Sequence, residues 1–177
     1  MSRDDQSSGA PESILSFADR LRAAREVREE VQETWEQWVV FRVSTRTLAL
    51  PVTHVREILR LPELTGVPNA PRPVSGVMNL RGHVLPVVDT HALLELPQTM
   101  ATPSSRVLVF LLDGRAVGLI VDEASGLEKL QVELFQTLPD SEALSSLARA
   151  SYPRDETESI TLLDPAKLFA GEDLAFK

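Results

Sequence analysis

Cysteine is absent from the 177 residues. That removes disulfides, thiolate nucleophiles and thiolate metal sites together, and fits a reducing cytoplasm. Glycine is scarce, at eight residues, and no two are spaced as G-x-G. The dinucleotide and phosphate-loop fingerprints are therefore missing in their usual form. There is no G-x-S-x-G elbow and no nucleophile paired with a base. No run approaches the roughly 18 apolar residues that a membrane span needs, and the polar, acidic start MSRDDQSSGAPES lacks the core of a secretory signal. Basic charge is also short. The formal net charge of −8 argues against a general nucleic-acid binder.

What is present is unevenly placed. Residues 1–38 carry five basic and nine acidic side chains, residues 39–96 six and four, and residues 97–177 seven and thirteen. A mildly basic middle between acidic ends suggests a patch for an acidic partner, although a solvated surface explains it as well. Eight of the twelve prolines fall between Pro51 and Pro103, so that half must be short strands and turns. Val39, Phe41 and Val43 alternate onto one strand face, and Leu48 and Leu50 continue the pattern after the polar turn Ser44–Arg46. The runs His83–Val88 and Val107–Leu112 read as strands buried on both faces. Asp113-Gly114 joins the second to Arg115–Val121 as a hairpin. Ser159–Leu163 reads as a further strand before a short closing helix near Pro165–Phe169. This is a mostly β chain of sandwich or barrel type.

The start of the chain has a different period. Phe17, Leu21, Ala24, Val27, Val31 and Trp35 recur at helical spacing, and no proline occurs from Glu12 to Leu50. An amphipathic helix over residues 12–35 is expected, with residues 1–35 an extension and residues 36–172 the main domain. No internal repeat is evident.

Two constellations could carry chemistry. Asp89 and His91 lie two apart, with His83 on the same run, and could form a metal or hydrolytic site. No ligand motif matches, so a metal-dependent hydrolase is only the runner-up. The denser constellation is Gly76-Val77-Met78-Asn79-Leu80-Arg81-Gly82. Its glycines allow a sharp turn, and its Asn and Arg sit among apolar residues where each must be hydrogen-bonded or face a partner.

Together with Val55-Arg56-Glu57-Ile58, Val67-Pro68-Asn69-Ala70-Pro71 and Leu85-Pro86-Val87-Val88-Asp89, that segment resembles the CheW family of chemotaxis coupling proteins. Val117-Gly118-Leu119-Ile120-Val121-Asp122 and Leu162-Leu163-Asp164-Pro165-Ala166-Lys167-Leu168 resemble the family's later strand and closing helix. The match runs from about Gln37 to Phe169. It implies two SH3-like five-stranded barrels sharing a core, in a cytoplasmic, non-enzymatic adaptor recruited to receptor arrays. No cofactor, metal or nucleic acid is implied, and no direct membrane insertion. The implied partners are the cytoplasmic tip of a chemoreceptor, whose helices would lie in the groove between barrels, and the regulatory domain of a CheA-type histidine kinase, docked on barrel ends.

Carried over by motif, Val55, Glu57, Gly76, Asn79 and Arg81 fall at receptor- or kinase-binding positions, and Ser105, Gly118, Ala124 and Leu127 near the groove. Glu57 is the acid best placed to meet Arg81, across neighbouring strands. The chain departs from the family at Ser44-Thr45-Arg46, where a hairpin glycine is usual, and at Ala148-Arg149-Ala150-Ser151, where another is missing. At Asp89-Thr90-His91 the family's D-L-R loses its arginine.

Overall fold

A computed structural model describes residues 33–112, 114–142, 144–168 and 170. Its strands are β1 (Trp35–Val43), β2 (Arg46–Pro51), β3 (Val55–Arg60), β4 (Val74–Leu80), β5 (His83–Asp89), β6 (Arg106–Leu112), β7 (Arg115–Val121), β8 (Glu123–Gln131), β9 (Ala148–Pro153) and β10 (Ser159–Leu163). Two single-turn helices, α1 (Thr90–Leu93) and α2 (Pro165–Leu168), follow β5 and β10. The strands form two five-stranded sheets. Sheet I has the order β8-β1-β2-β10-β9, and sheet II the order β3-β6-β7-β5-β4.

The two orders are one path written twice. Advancing every strand of sheet I by five places, with the ends of the chain joined, gives sheet II. Both contain the same sequence of antiparallel, antiparallel, parallel and antiparallel pairings. Sheet II is built from consecutive strands, β3 to β7, while sheet I is assembled from both flanks of that segment. The sequence showed no repeat, yet one is there. Each repeat opens on a hairpin with a two-residue loop, Val43↔Arg46 in one and Leu112↔Arg115 in the other. Counting outwards from those loops, Phe41 matches Phe110, Leu50 matches Leu119 and Ala49 matches Gly118. Burial pattern survives where residue identity has drifted, because packing tolerates exchanges of similar volume.

Three apolar clusters follow from strand alternation. One face of β1 and β6 (Val39, Phe41, Leu108 and Phe110) joins Leu48, Leu50, Leu119 and Leu163 in a core shared by both sheets. The opposite faces fill the hollow of each sheet, with Trp38, Val40, Ala49 and Leu162 in sheet I and Met78, Leu85, Val87, Val107 and Val109 in sheet II. The expected core positions Val39, Phe41, Val87, Val109, Leu119 and Leu163 are all buried in strands. The run His83–Val88 is buried only from Leu85 onwards, since His83 and Val84 are exposed.

Two expectations about the ends need comment. The helix expected over residues 12–35 lies, as far as residue 32, outside the described residues. Trp35, placed on that helix by its spacing, is instead the first residue of β1 and pairs with Gln131. The helical period ran on into the strand because one bulky residue fits either pattern. The β6–β7 hairpin is formed, with Gly114 at φ 77°; Asp113 and Phe169 lie outside the described residues.

Candidate functional site

The segment Gly76–Gly82 is a strand and a tight turn. β4 and β5 are joined by Arg81-Gly82, with Leu80 facing His83. Both loop residues have positive φ, 55° for Arg81 and 87° for Gly82, as a type I′ hairpin requires. Asn79 closes the turn, its Oδ1 accepting the Gly82 N–H at 2.9 Å. Glycine, asparagine or aspartate would hold Arg81's backbone more cheaply, since a bulky residue in this region costs roughly 1–2 kcal/mol. Gly76 is required by a close approach. A Cβ there would lie 2.6 Å from the Thr65 carbonyl oxygen, where the chain before β4 bridges to Val77.

Arg81 Nη2 donates to Glu57 Oε2 at 3.0 Å. The pair is the one expected, but the strands are not neighbours. β3 and β4 are the two edges of sheet II, separated in the sheet by β6, β7 and β5. The sheet therefore curls enough to bring the turn after β4 within reach of β3, and the ion pair spans the mouth of the curl. Glu57 is largely covered, with 18% of its side chain exposed, while Arg81 keeps 71% in solvent. Around them stand Arg56, Leu80, His83 and Val84. Val84 is 72% exposed, a large apolar side chain in the open beside two guanidinium groups.

The other expected residues separate into two kinds. Val55 and Ala124 pack on the shared core, and Leu127 lies on the same face of sheet I but is 55% exposed. The repeat relates them: Val55 pairs with Phe110 as Ala124 pairs with Phe41, and Ile58 pairs with Leu108 as Leu127 pairs with Val39. Ile58, 40% exposed, thus completes a set that was missed in the sequence. The alternation Val55, Glu57, Leu59 against Arg56, Ile58, Arg60 carried the signal, but a β-bulge between Val55 and Glu57 puts Ile58 on the same face as Val55. Ser105 and Gly118 are buried and present nothing to solvent. Ser105 Oγ accepts the Thr102 N–H at 2.9 Å and shapes the approach to β6. A Cβ on Gly118 would lie 2.8 Å from Val107 Cγ1 and 3.2 Å from Val87 Cγ2, so glycine makes room for the side chains of both flanking strands.

The Asp89–His91–His83 triad is not assembled. His83 begins β5 in an exposed position, about 20 Å from Asp89 at strand rise. His91 is buried between carboxylates instead, Nδ1 at 3.1 Å from Asp89 Oδ1 and Nε2 at 3.1 Å from Asp122 Oδ2. Among the described residues no three His, Asp or Glu side chains converge as a metal would need. Asp122 is pushed up by burial, but the Thr99 hydroxyl, the Ser44 N–H and His91 outweigh this and hold its carboxyl below the ordinary value of 3.8. The departure at Ser44 is also explained. Ser44 itself takes φ 55°, and its N–H donates to Asp122 Oδ2 at 2.6 Å, which anchors the turn without glycine.

A family model described as CheW-like domain matches residues 37–173. The chain belongs to the CheW family. It is 34% identical over 125 residues to Protein PilI of Pseudomonas aeruginosa, covering 70% of each chain. It is 34% identical over 139 residues to the chemotaxis protein CheW of Rhizobium meliloti, covering 76% of this chain and 88% of that one. It is 33% identical over 108 residues to the chemotaxis protein CheW of Bacillus subtilis, covering 61% and 69%. The crystal structure of scaffolding protein TtCheW from Thermoanaerobacter tengcongensis superposes with a TM-score of 0.72 at 20% identity, covering 82% of this chain and 94% of that one. That likeness shows a CheW fold.

Proposed function

We propose that this chain is a non-enzymatic cytoplasmic scaffold coupling chemoreceptor tips to the regulatory domain of a CheA-type histidine kinase. The observation that carries the reading at residue level is the mouth of sheet II. There Glu57 and the strained Arg81 meet beside exposed Val84, in the segments that match the family motif. A conformation that costs stability and holds a charge in solvent has its use outside the fold. Each sheet is an SH3-like barrel within a domain of residues 36–172, with residues 1–35 an extension to it. The edge-to-edge ion pair supports closure of sheet II, and Arg154 with Glu128 supports it in sheet I.

The roles divide by surface. Glu57, Asn79 and Arg81 form the mouth that meets the kinase domain, with Gly76 and Gly118 shaping the strands behind it. Val55, Ala124 and Leu127 line the face between the sheets, where an amphipathic receptor helix would lay its apolar side, with Ser105 at its margin. The test is reconstitution with the cognate receptor and kinase. Kinase output should depend on this chain, and Arg81→Ala should lose that dependence while melting close to the unaltered protein. An output indifferent to the chain would overturn the proposal.

A further inference from the structure

His91 ties parts of both sheets together. It follows β5, in sheet II, and its Nε2 meets Asp122, the residue between β7 of sheet II and β8 of sheet I. Asp122 in turn accepts the Ser44 N–H from the β1–β2 turn, and its own N–H donates to the Arg42 carbonyl at 3.0 Å. One imidazole therefore connects the end of β5, the crossing from one sheet to the other, and the first hairpin of sheet I. The matching place after β10 reads Asp164-Pro165-Ala166. There Asp164 caps α2 through the Ala166 N–H at 3.0 Å, as Asp89 caps α1 through the His91 N–H at 2.9 Å, but alanine has no side chain to reach across.

Hydrogens can be counted around the ring. Nδ1 faces Asp89 Oδ1, whose partner oxygen Oδ2 accepts from Gln98 Nε2 at 3.0 Å. Nε2 faces Asp122 Oδ2 and also Thr99 Oγ1, at 3.1 Å each. Thr99 Oγ1 is 2.6 Å from Asp122 Oδ1 and spends its one hydrogen there. A neutral imidazole carries a single N–H, so one carboxylate would then face a ring lone pair. The ring is 4% exposed, and little water can relieve that repulsion. With hydrogen on both nitrogens, every oxygen around the ring has a donor, and both bonds are charge-assisted. The charged groups facing this cluster are Asp89 and Asp122. Arg42 and Glu123 stand nearby but are engaged with each other at 2.8 Å.

We propose that His91 is a proton-operated latch between the sheets, closed when both ring nitrogens carry hydrogen and opened when one is lost. An arginine here would keep its donors at every physiological pH, whereas histidine is the side chain that exchanges a proton near neutrality. Opening removes His91 from Asp122, which keeps Ser44 and Thr99, and so loosens the point from which β8, the strand carrying Ala124 and Leu127, departs. The consequence for receptor binding rests on the adaptor reading above; the latch itself is a property of this chain alone.

The experiment reads ring nitrogen shifts of His91 and amide-exchange protection of Ser44 and Asp122 in the full chain, from about pH 5.5 to 8.5. The expected result is hydrogen on both ring nitrogens at the acidic end, with protection of the Ser44 amide falling about tenfold as the ring loses its proton. His91→Arg should keep its protection throughout. His91→Gln, which supplies one neutral donor and one acceptor, should be poorly protected at every pH, and serves if the arginine variant does not fold. A ring found neutral across the range, or protection that follows pH equally in wild type and variant, overturns the latch. Neither readout involves kinase or receptor, so a failed adaptor reading leaves the test intact.

Discussion

Sheets I and II share a path but not a surface. At the mouth of sheet II the edges are joined by Glu57 and Arg81, beside Val84 and Leu80. At the mouth of sheet I they are joined by Arg154 and Glu128, and Arg42, Arg46, Thr47, Glu123 and Glu158 surround them. There each arginine has a carboxylate partner, including Arg46 with Glu142 at 3.7 Å, and among the described residues no large apolar side chain takes part. Turn chemistry differs in the same sense. The β4–β5 turn spans two residues and strains Arg81, whereas the β9–β10 turn is longer and is capped by Asp155, whose Oδ1 accepts the Thr157 and Glu158 N–H groups. Duplicated topology fixed where the mouths are; divergence of turn and rim residues fixed the chemistry each presents.

The comparison breaks most severely in the shared core. Phe41→Ala and Phe110→Ala should each cost about 3–5 kcal/mol and lower both sheets in one cooperative transition, read by denaturant unfolding. Two separate transitions would show that the sheets are independent. Next comes the matched pair Ala49 and Gly118. Gly118→Ala should destabilise by about 1–3 kcal/mol, because the new methyl meets Val107 and Val87. Ala49→Gly, its counterpart, should cost nearer 1 kcal/mol through chain entropy.

Smaller stability effects sharpen the difference between the mouths. Arg81→Gly should leave stability within about 1 kcal/mol, since relief of the left-handed backbone offsets a partly exposed ion pair, yet coupling should fall as far as with Arg81→Ala. Arg154→Ala should change stability by a similar amount and leave coupling largely intact. The smallest effect is at the acid end. The Asp122 carboxyl is held below its ordinary value of 3.8 by Thr99, Ser44 and His91 against the pull of burial. Its contribution is thus complete above that value and is lost as pH falls through the lower, folded one. Asp122→Asn should flatten this part of the acid-unfolding curve.

Much of this was legible beforehand because it rests on local rules. Alternation placed Val39, Phe41, Val109 and Leu119 in the core, and the motif brought Glu57 to Arg81. Strand order was not legible. That β3 and β4 are opposite edges depends on pairings between residues far apart in the chain, and no local pattern encodes them. The repeat stayed hidden because its halves, β1–β5 and β6–β10, share strand order and burial rather than residue identity. Ile58 was lost to a bulge, and the role of His91 to partners at positions 99 and 122.

The most direct measurement is the footprint of a CheA-type regulatory domain on the isotopically labelled chain, read from amide shifts. Perturbations should gather on Arg56, Glu57 and Asn79–Val84, at the mouth of sheet II. A footprint confined to the mouth of sheet I, with Arg81 and Val84 unmoved, would contradict the assignment of that mouth as the docking site.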